Sequence, residues 1–291
     1  MTVAVRTEPR EVVVSGARIR VRTGGDPDAP PVLLLHGIGR SLEDWSPQHD
    51  RLSDDHRVIS TDLAGFGLSD RLPGPATMHT LTGGVLGVLD AIGETRPLHV
   101  MGNSLGGAVA LMLLTRCPER VATLTLADPA GFGSEVSPVL RVLGVPFLGA
   151  RLLRSVDRAA ARRTERSLFV DDAFVTEERI THGLEVARRP DHAAVFAEIA
   201  TELGTPLRGV RPGWRTSLLA EAARHPRPTL VVWGERDLIL PAKHLRAALA
   251  AIPHARSHVF GRTGHMPQIE RADEFAHVVR RFLGRAAADR A

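Results

Sequence analysis

Short apolar runs alternate along this chain with longer segments in which apolar residues return every three or four positions. Pro31-Val32-Leu33-Leu34-Leu35, Leu98-His99-Val100-Met101, Leu124-Thr125-Leu126-Ala127 and Thr229-Leu230-Val231-Val232-Trp233-Gly234 read as strands buried on both faces. Residues 57–60 and 258–260 continue that series, and 12–14 with 19–21 predict a hairpin turned at Gly16. Helical spacing predicts helices at 42–52, 78–92, 107–114 and 272–282. Strands taking turns with helices argue for a mostly parallel sheet covered on both faces.

The alternation lapses between about Gly133 and Gly213, where helical patterns continue without a convincing strand. The expected organisation is therefore an α/β core from residues 1–132 and 214–291, with 133–213 as a helical cap inserted into it. The first part of that insertion, 136–148, is apolar with few charges. It packs against the core, walls an acyl pocket, or does both; Leu140 and Leu143 are its candidate pocket residues, with Met266 from further along. Arginines at 154, 158, 162, 163 and 166 are spaced as on a solvated helix face.

Composition narrows the class. A chain of 291 residues with 43% hydrophobic and 24% charged content suits one large soluble domain carrying an insertion. The sequence pI near 10.6 suggests nucleic acid, yet the formal charge is only +4. With no tyrosine and Lys243 as sole lysine, little titrates between His and Arg, so a small arginine surplus lifts the pI. No basic tail or stripe stands out, and a nucleic-acid partner is not expected. Cys117 is the single cysteine, so no intrachain disulfide forms, and no Cys/His cluster has zinc spacing. Charged residues at 6, 8, 10 and 11 replace the apolar core of a signal peptide, and no run is long enough for a membrane span. The expected location is cytoplasmic.

The chemistry is carried by Gly102-Asn103-Ser104-Leu105-Gly106, set between an apolar strand and a small-residue helix. A G-x-S-x-G in that frame makes a sharp turn that lifts a serine hydroxyl above the sheet edge. A serine needs a base within reach and a group to orient that base. Asp237 and His265 both follow late strands, in the order expected for this kind of sheet. Asp128, at the end of an earlier strand, is a rival for the acid. Backbone N–H groups of Leu105 and of Ile38, in His36-Gly37-Ile38-Gly39, are expected to form the oxyanion hole. Asp62 is expected to cap backbone N–H groups in its Gly-rich loop.

With these pieces in place the chain resembles an α/β-hydrolase over nearly its whole length. The matching motifs are His36-Gly37-Ile38-Gly39, Asp62-Leu63-Ala64-Gly65-Phe66-Gly67-Leu68-Ser69, Gly102-Asn103-Ser104-Leu105-Gly106-Gly107, Gly234-Glu235-Arg236-Asp237 and Gly264-His265-Met266-Pro267-Gln268-Ile269-Glu270. The resemblance implies an α/β-hydrolase fold, with Ser104 as nucleophile, Asp237 as acid, His265 as base and His36 supporting the oxyanion loop. It implies no cofactor and no metal. Epoxide hydrolases and haloalkane dehalogenases of this fold carry aspartate where Ser104 stands, and epoxide hydrolases also use cap tyrosines, which this chain lacks.

Three functions remain. The expected one is hydrolysis of a small or medium apolar carboxylic ester through an acyl-enzyme. The alternative is C–C cleavage, because Gly102-Asn103-Ser104 and Gln268 resemble the meta-cleavage product hydrolases. Against it, Met266 replaces their usual Trp, and no polar Asn appears between Arg40 and Pro47. Arg188 or Arg189 is the candidate carboxylate anchor under that alternative. The third function is ligand binding without turnover. The partner expected in all three is a small molecule, and the oligomeric state is not legible.

Overall fold

In the computed structural model, residues 8–145, 147–205 and 209–289 are described. Its strands are β1 (Arg10–Val14), β2 (Ala17–Gly24), β3 (Pro31–Leu35), β4 (Arg57–Thr61), β5 (Leu98–Asn103), β6 (Val121–Ala127), β7 (Gly204–Thr205), β8 (Gly209–Val210), β9 (Thr229–Gly234) and β10 (Arg256–Phe260). Eight of them form one sheet in the order β1-β2-β4-β3-β5-β6-β9-β10. Only the β1–β2 and β2–β4 pairings are antiparallel; every other neighbour is parallel.

The helices are α1 (Ser46–Leu52), α2 (Met78–Ala91), α3 (Leu105–Arg116), α4 (Pro138–Leu143), α5 (Leu148–Arg154), α6 (Arg158–Leu168), α7 (Glu177–Ala187), α8 (His192–Leu203), α9 (Pro212–Ala222), α10 (His244–Ala251), α11 (Pro267–Glu270) and α12 (Ala272–Ala288). Side chains alternate across a strand, so β3 feeds two cores. Leu33 and Leu35 pack with Val85 and Val88 of α2 and Val109 of α3. Val32 and Leu34 pack with Trp45 and with Phe275 and Val279 of α12. A strand enclosed on both sides has no polar face to show, which is why β3 reads as an unbroken apolar run.

The helix expected at 42–52 is divided. Leu42–Trp45 forms a 3₁₀ turn, and α1 starts at Ser46 with a proline in its first turn. Pro47 lacks the N–H that would extend an α-helix back through Trp45, yet it is well placed near a helix start. Between β6 and α9 the described residues hold five helices, α4 to α8, and the two-residue antiparallel ribbon β7–β8, which the hydropathy pattern had not indicated. This insertion shares the main core: Ala193, Val195, Phe196 and Ile199 of α8 belong to the cluster that includes Leu33.

A buried charge quartet fastens the insertion to the core. Arg40 donates to Asp44 (2.7 and 2.8 Å) and to Glu165 of α6 (2.5 Å). Arg179 of α7 donates to Glu165 (2.8 Å) and Asp44 (3.0 Å), and its guanidinium lies 4.9 Å from the centre of the Phe169 ring. Burial alone would raise the Asp44 carboxyl, but Arg40 and Arg179 outweigh it and hold it well below the usual carboxylate range. Two cations matched to two anions leave no buried charge uncompensated. By contrast, Arg158 is exposed and Arg162 half-buried, and both pair with Glu177. No helix among the described residues is long and apolar enough to cross a membrane.

Candidate active site

Ser104, Asp128, Asp237, His265 and Ile38 all lie on loops just past β5, β6, β9, β10 and β3. Those strands are parallel, so their C-terminal ends share one edge of the sheet, where open α/β sheets place ligands. Ser104 occupies φ +55°, ψ −117°, a strained conformation for a residue with a side chain. The turn is tight because its glycines permit it. A Cβ on Gly102 would come within 2.2 Å of the Gly106 carbonyl oxygen, and one on Gly106 within 2.2 Å of the Leu35 carbonyl oxygen. The Ser104 N–H donates to Ala127 O (3.0 Å), tying the elbow to β6.

Asp237 and His265 meet. His265 Nδ1 lies 2.7 Å from Asp237 Oδ2, and both side chains are buried. The other carboxylate oxygen, Oδ1, accepts from the N–H groups of Ile239 (2.7 Å) and Leu240 (3.0 Å). With a carboxylate as its acceptor, Nδ1 carries the hydrogen and Nε2 keeps a free lone pair. Asn103 joins this pair to the elbow: its Nδ2 donates to His265 O (3.0 Å) and Ala127 O (3.2 Å). No hydrogen bond links Ser104 Oγ to His265 among the described residues. Such bonds commonly tighten only when substrate arrives.

The loop after β3 sits beside Ser104. A Cβ on Gly37 would lie 3.3 Å from Ser104 Cβ, and Gly39 takes φ +68°. His36 is fully buried, and burial lowers its basicity. Its Nε2 accepts from the Leu63 N–H (2.9 Å), so Nδ1 donates to Gly37 O (2.7 Å). Asp62 accepts from the N–H groups of Leu42 and Leu68 and from Ser69 Oγ, a structural part that keeps both loops in place. Among the described residues neither the Ile38 nor the Leu105 N–H donates a hydrogen bond, and both residues line a cleft that opens on Ser104.

That cleft is about 610 Å³ including its mouth, and its walls are almost wholly apolar. Val136 and Leu140 come from the start of the insertion, Phe196 and Ala200 from α8. Leu140, one of the three pocket candidates, lines this cleft. Leu143 and Met266 are not brought to this wall. Leu143 is half-buried against the main core, and its carbonyl abuts Gly149. Met266 packs instead in a separate buried cluster with Leu168, Phe169 and Ile269. The anchor candidates also sit elsewhere: Arg188 is exposed, and Arg189 is engaged with Asp70 (2.8 Å). Arg141 was not anticipated. It lines the cleft and makes no ion pair or side-chain hydrogen bond among the described residues, its Nε being buried without a partner.

Glu270 explains the end of the His265 motif. Its Oε2 accepts from the Gly264 N–H (2.7 Å), and its Oε1 from the N–H groups of Val170 and Asp171 (both 2.9 Å). A Cβ on Gly264 would strike the Leu168 carbonyl at 2.3 Å, so the histidine loop and the insertion touch through backbone. Asp128, Asp237 and His265 each offer an atom within 4.8 Å of the others, close enough for a cation. Three of the four carboxylate oxygens already accept from His265, Ile239, Leu240 or Gly234, so the cluster is held by hydrogen bonds.

His192 gives the site a pH-dependent support. Its ring meets Phe66 and Phe196 edge-on or tilted, at centroid distances of 6.2 and 6.3 Å, and burial pushes it down to about 4. An unfolded histidine titrates near 6.5, so between about pH 6.5 and 4 the unfolded chain binds the extra proton and the folded one does not. Stability is therefore lost as pH falls through that window and levels off below it. Urea unfolding at pH 7 and pH 4.5 is expected to show wild type losing roughly 2–3 kcal/mol more than His192→Phe. Equal losses in the two proteins would refute it.

Residues 30–272 match the family model described as alpha/beta hydrolase fold. The chain is 34% identical over 277 residues to the dihydrolipoyllysine-residue acetyltransferase component of an acetoin cleaving system from Cupriavidus necator, covering 93% of this chain and 68% of that protein. It is 33% identical over 288 residues to a 2-hydroxymuconate semialdehyde hydrolase of Pseudomonas sp. (strain CF600), covering 96% and 95%. Among solved structures, a meta-cleavage product hydrolase of Pseudomonas fluorescens superposes with TM-score 0.79 at 26% identity, covering 97% of this chain and 99% of that one. The enol-lactonase of Burkholderia xenovorans superposes with TM-score 0.76 at 27% identity, covering 94% and 100%. With an eight-stranded, mostly parallel sheet, a strained serine elbow and this match across its length, the chain belongs to the alpha/beta hydrolase fold family.

Proposed function

We propose that the chain is a serine hydrolase acting on a carboxylic ester with an apolar acyl group. Ser104 Oγ attacks the carbonyl carbon while His265 Nε2 takes its proton, and Asp237 holds the ring in the required tautomer. The carbonyl oxygen gains charge as the bond forms and is stabilised by the N–H groups of Ile38 and Leu105, the latter at the positive end of α3. His265 then returns the proton to the departing alkoxide, and water repeats the sequence on the acyl-enzyme. The helices over the cleft act as its cap. The observation that carries the ester reading is the apolar wall running from Ser104 along Leu140, Phe196 and Ala200, which suits an alkyl chain and offers one charged group.

That charged group favours a second reading. Cleavage of a C–C bond in a 2-hydroxy-6-oxo-dienoate requires an anchor for the substrate carboxylate, and Arg141 is a guanidinium in the cleft with no carboxylate partner among the described residues. The similarity to a 2-hydroxymuconate semialdehyde hydrolase supports the same reading. Turnover of p-nitrophenyl butyrate and of a 2-hydroxy-6-oxo-dienoate, compared as kcat/KM on one preparation, separates the two. The ester is expected to be the better substrate, with Arg141→Gln leaving its kcat/KM within about threefold. Faster dienoate cleavage, lost in Arg141→Gln, would replace the ester reading by the second.

A further inference from the structure

Asp237 has a second carboxyl group for a neighbour. Asp128 follows β6, is fully buried, and takes φ +46°, a left-handed turn that aspartate tolerates better than most residues. Its N–H donates to Val232 O (3.0 Å), and its Oδ1 accepts from the Gly234 N–H (2.8 Å), so the residue bridges the ends of β6 and β9. The remaining oxygen, Oδ2, is shut off from solvent and has no donor among the described residues. Carboxylate atoms of Asp128 and Asp237 and a ring nitrogen of His265 lie within 4.8 Å of one another. No arginine or lysine forms an ion pair with either acid among the described residues.

Two full negative charges that close, both buried and neither paired with an arginine or lysine among the described residues, repel strongly, and one proton retained by the pair removes the repulsion. The same proton gives Asp128 Oδ2 something to donate. We infer that Asp128 is a positioning residue of the relay, a neutral carboxylic acid whose Oδ2–H donates to the Asp237 carboxylate. Burial, and after it the Asp237 charge, pushes the Asp128 carboxyl well above its ordinary range, with the Gly234 N–H opposing. The groups facing it are Asp237 from the loop after β9, His265 from the loop after β10, and Glu270 from α11, whose oxygens are engaged with Gly264, Val170 and Asp171. The donated hydrogen bond fixes the plane of the Asp237 carboxylate. It also draws charge from it, so that Asp237 orients the imidazole without taking its proton.

This inference rests on Asp237 orienting His265, and its test is separable from that premise. Infrared spectra of the purified full chain at pH 7 are expected to show the carbonyl stretch of a buried protonated carboxyl, shifted in D₂O and absent from Asp128→Asn. On p-nitrophenyl butyrate, Asp128→Ala is expected to lower kcat about tenfold. It should also move the acidic limb of the kcat/KM profile to higher pH, since Asp237 without its donor draws the proton on His265 more strongly. Asp128→Asn keeps an acceptor for Gly234 and supplies an N–H donor to Asp237, so it is expected to recover most of the loss and return the limb. A merely structural bridge would leave the limb where it was. No such band in wild type, or Asp128→Asn as impaired as Asp128→Ala, overturns the inference. Should Asp128→Ala not fold, the wild-type band and the Asp128→Asn profile still decide. Failure of the triad itself shows differently, as fluorophosphonate labelling away from Ser104 with the band intact.

Discussion

Ser104→Ala is expected to fold normally and to lose ester turnover almost completely. Removing the nucleophile from a serine relay lowers kcat by roughly 10⁵–10⁶-fold, leaving only what binding and the oxyanion donors achieve alone. Alanine removes one oxygen from the elbow and keeps its backbone, so the Ser104 N–H bond to Ala127 O survives and thermal stability changes little. The strained φ of +55° remains for alanine as it was for serine. A fluorophosphonate probe is expected to label wild type at Ser104 and to leave Ser104→Ala unlabelled, read by peptide mass spectrometry. Labelling of another serine, or turnover within tenfold of wild type, would remove Ser104 from the reaction.

Much of this site is written in short stretches of sequence because its geometry is local. Gly102 is required by a collision with Gly106 inside the turn itself, and β3 and β9 announce themselves as nearly unbroken apolar runs because both their faces are covered. What depends on distant partners is not legible in that way. Arg40 and Glu165 are 125 positions apart, and nothing in the periodicity of α6 marks Glu165 as the one acid turned inward among solvated arginines. Met266 and Leu143 are apolar and near the right loops, yet apolar residues at such places serve the core as readily as a cleft. The sense in which a short segment turns decides between them. Arg141 lies amid an apolar stretch, and only the fold of the insertion puts it on the wall. The rivalry between Asp128 and Asp237 for the acid had the same origin. Both follow buried strands, and the strand order places β6 beside β9, so both carboxyls arrive at one point.

That meeting makes the sharpest expectation the one for Asp237. The 2.7 Å contact with His265 Nδ1 belongs to Asp237, while Asp128 Oδ1 is committed to the Gly234 N–H. Asp237→Asn presents an amide to the ring, and either its N–H₂ clashes with the imidazole N–H or the ring flips its hydrogen to Nε2. In the second case the nitrogen facing Ser104 has no lone pair to take a proton. The loss in kcat is expected to be about 10⁴-fold at pH 7 with KM little changed, because binding in the apolar cleft does not use the carboxylate. The N–H bonds from Ile239 and Leu240 can still be accepted by the amide oxygen, so the fold should hold, and circular dichroism with a melting curve checks that it does. Asp128→Asn is expected to lose far less on the same assay. Were the two losses reversed, the acid of the relay would be the residue after β6, and Asp237 would be its neighbour rather than its centre.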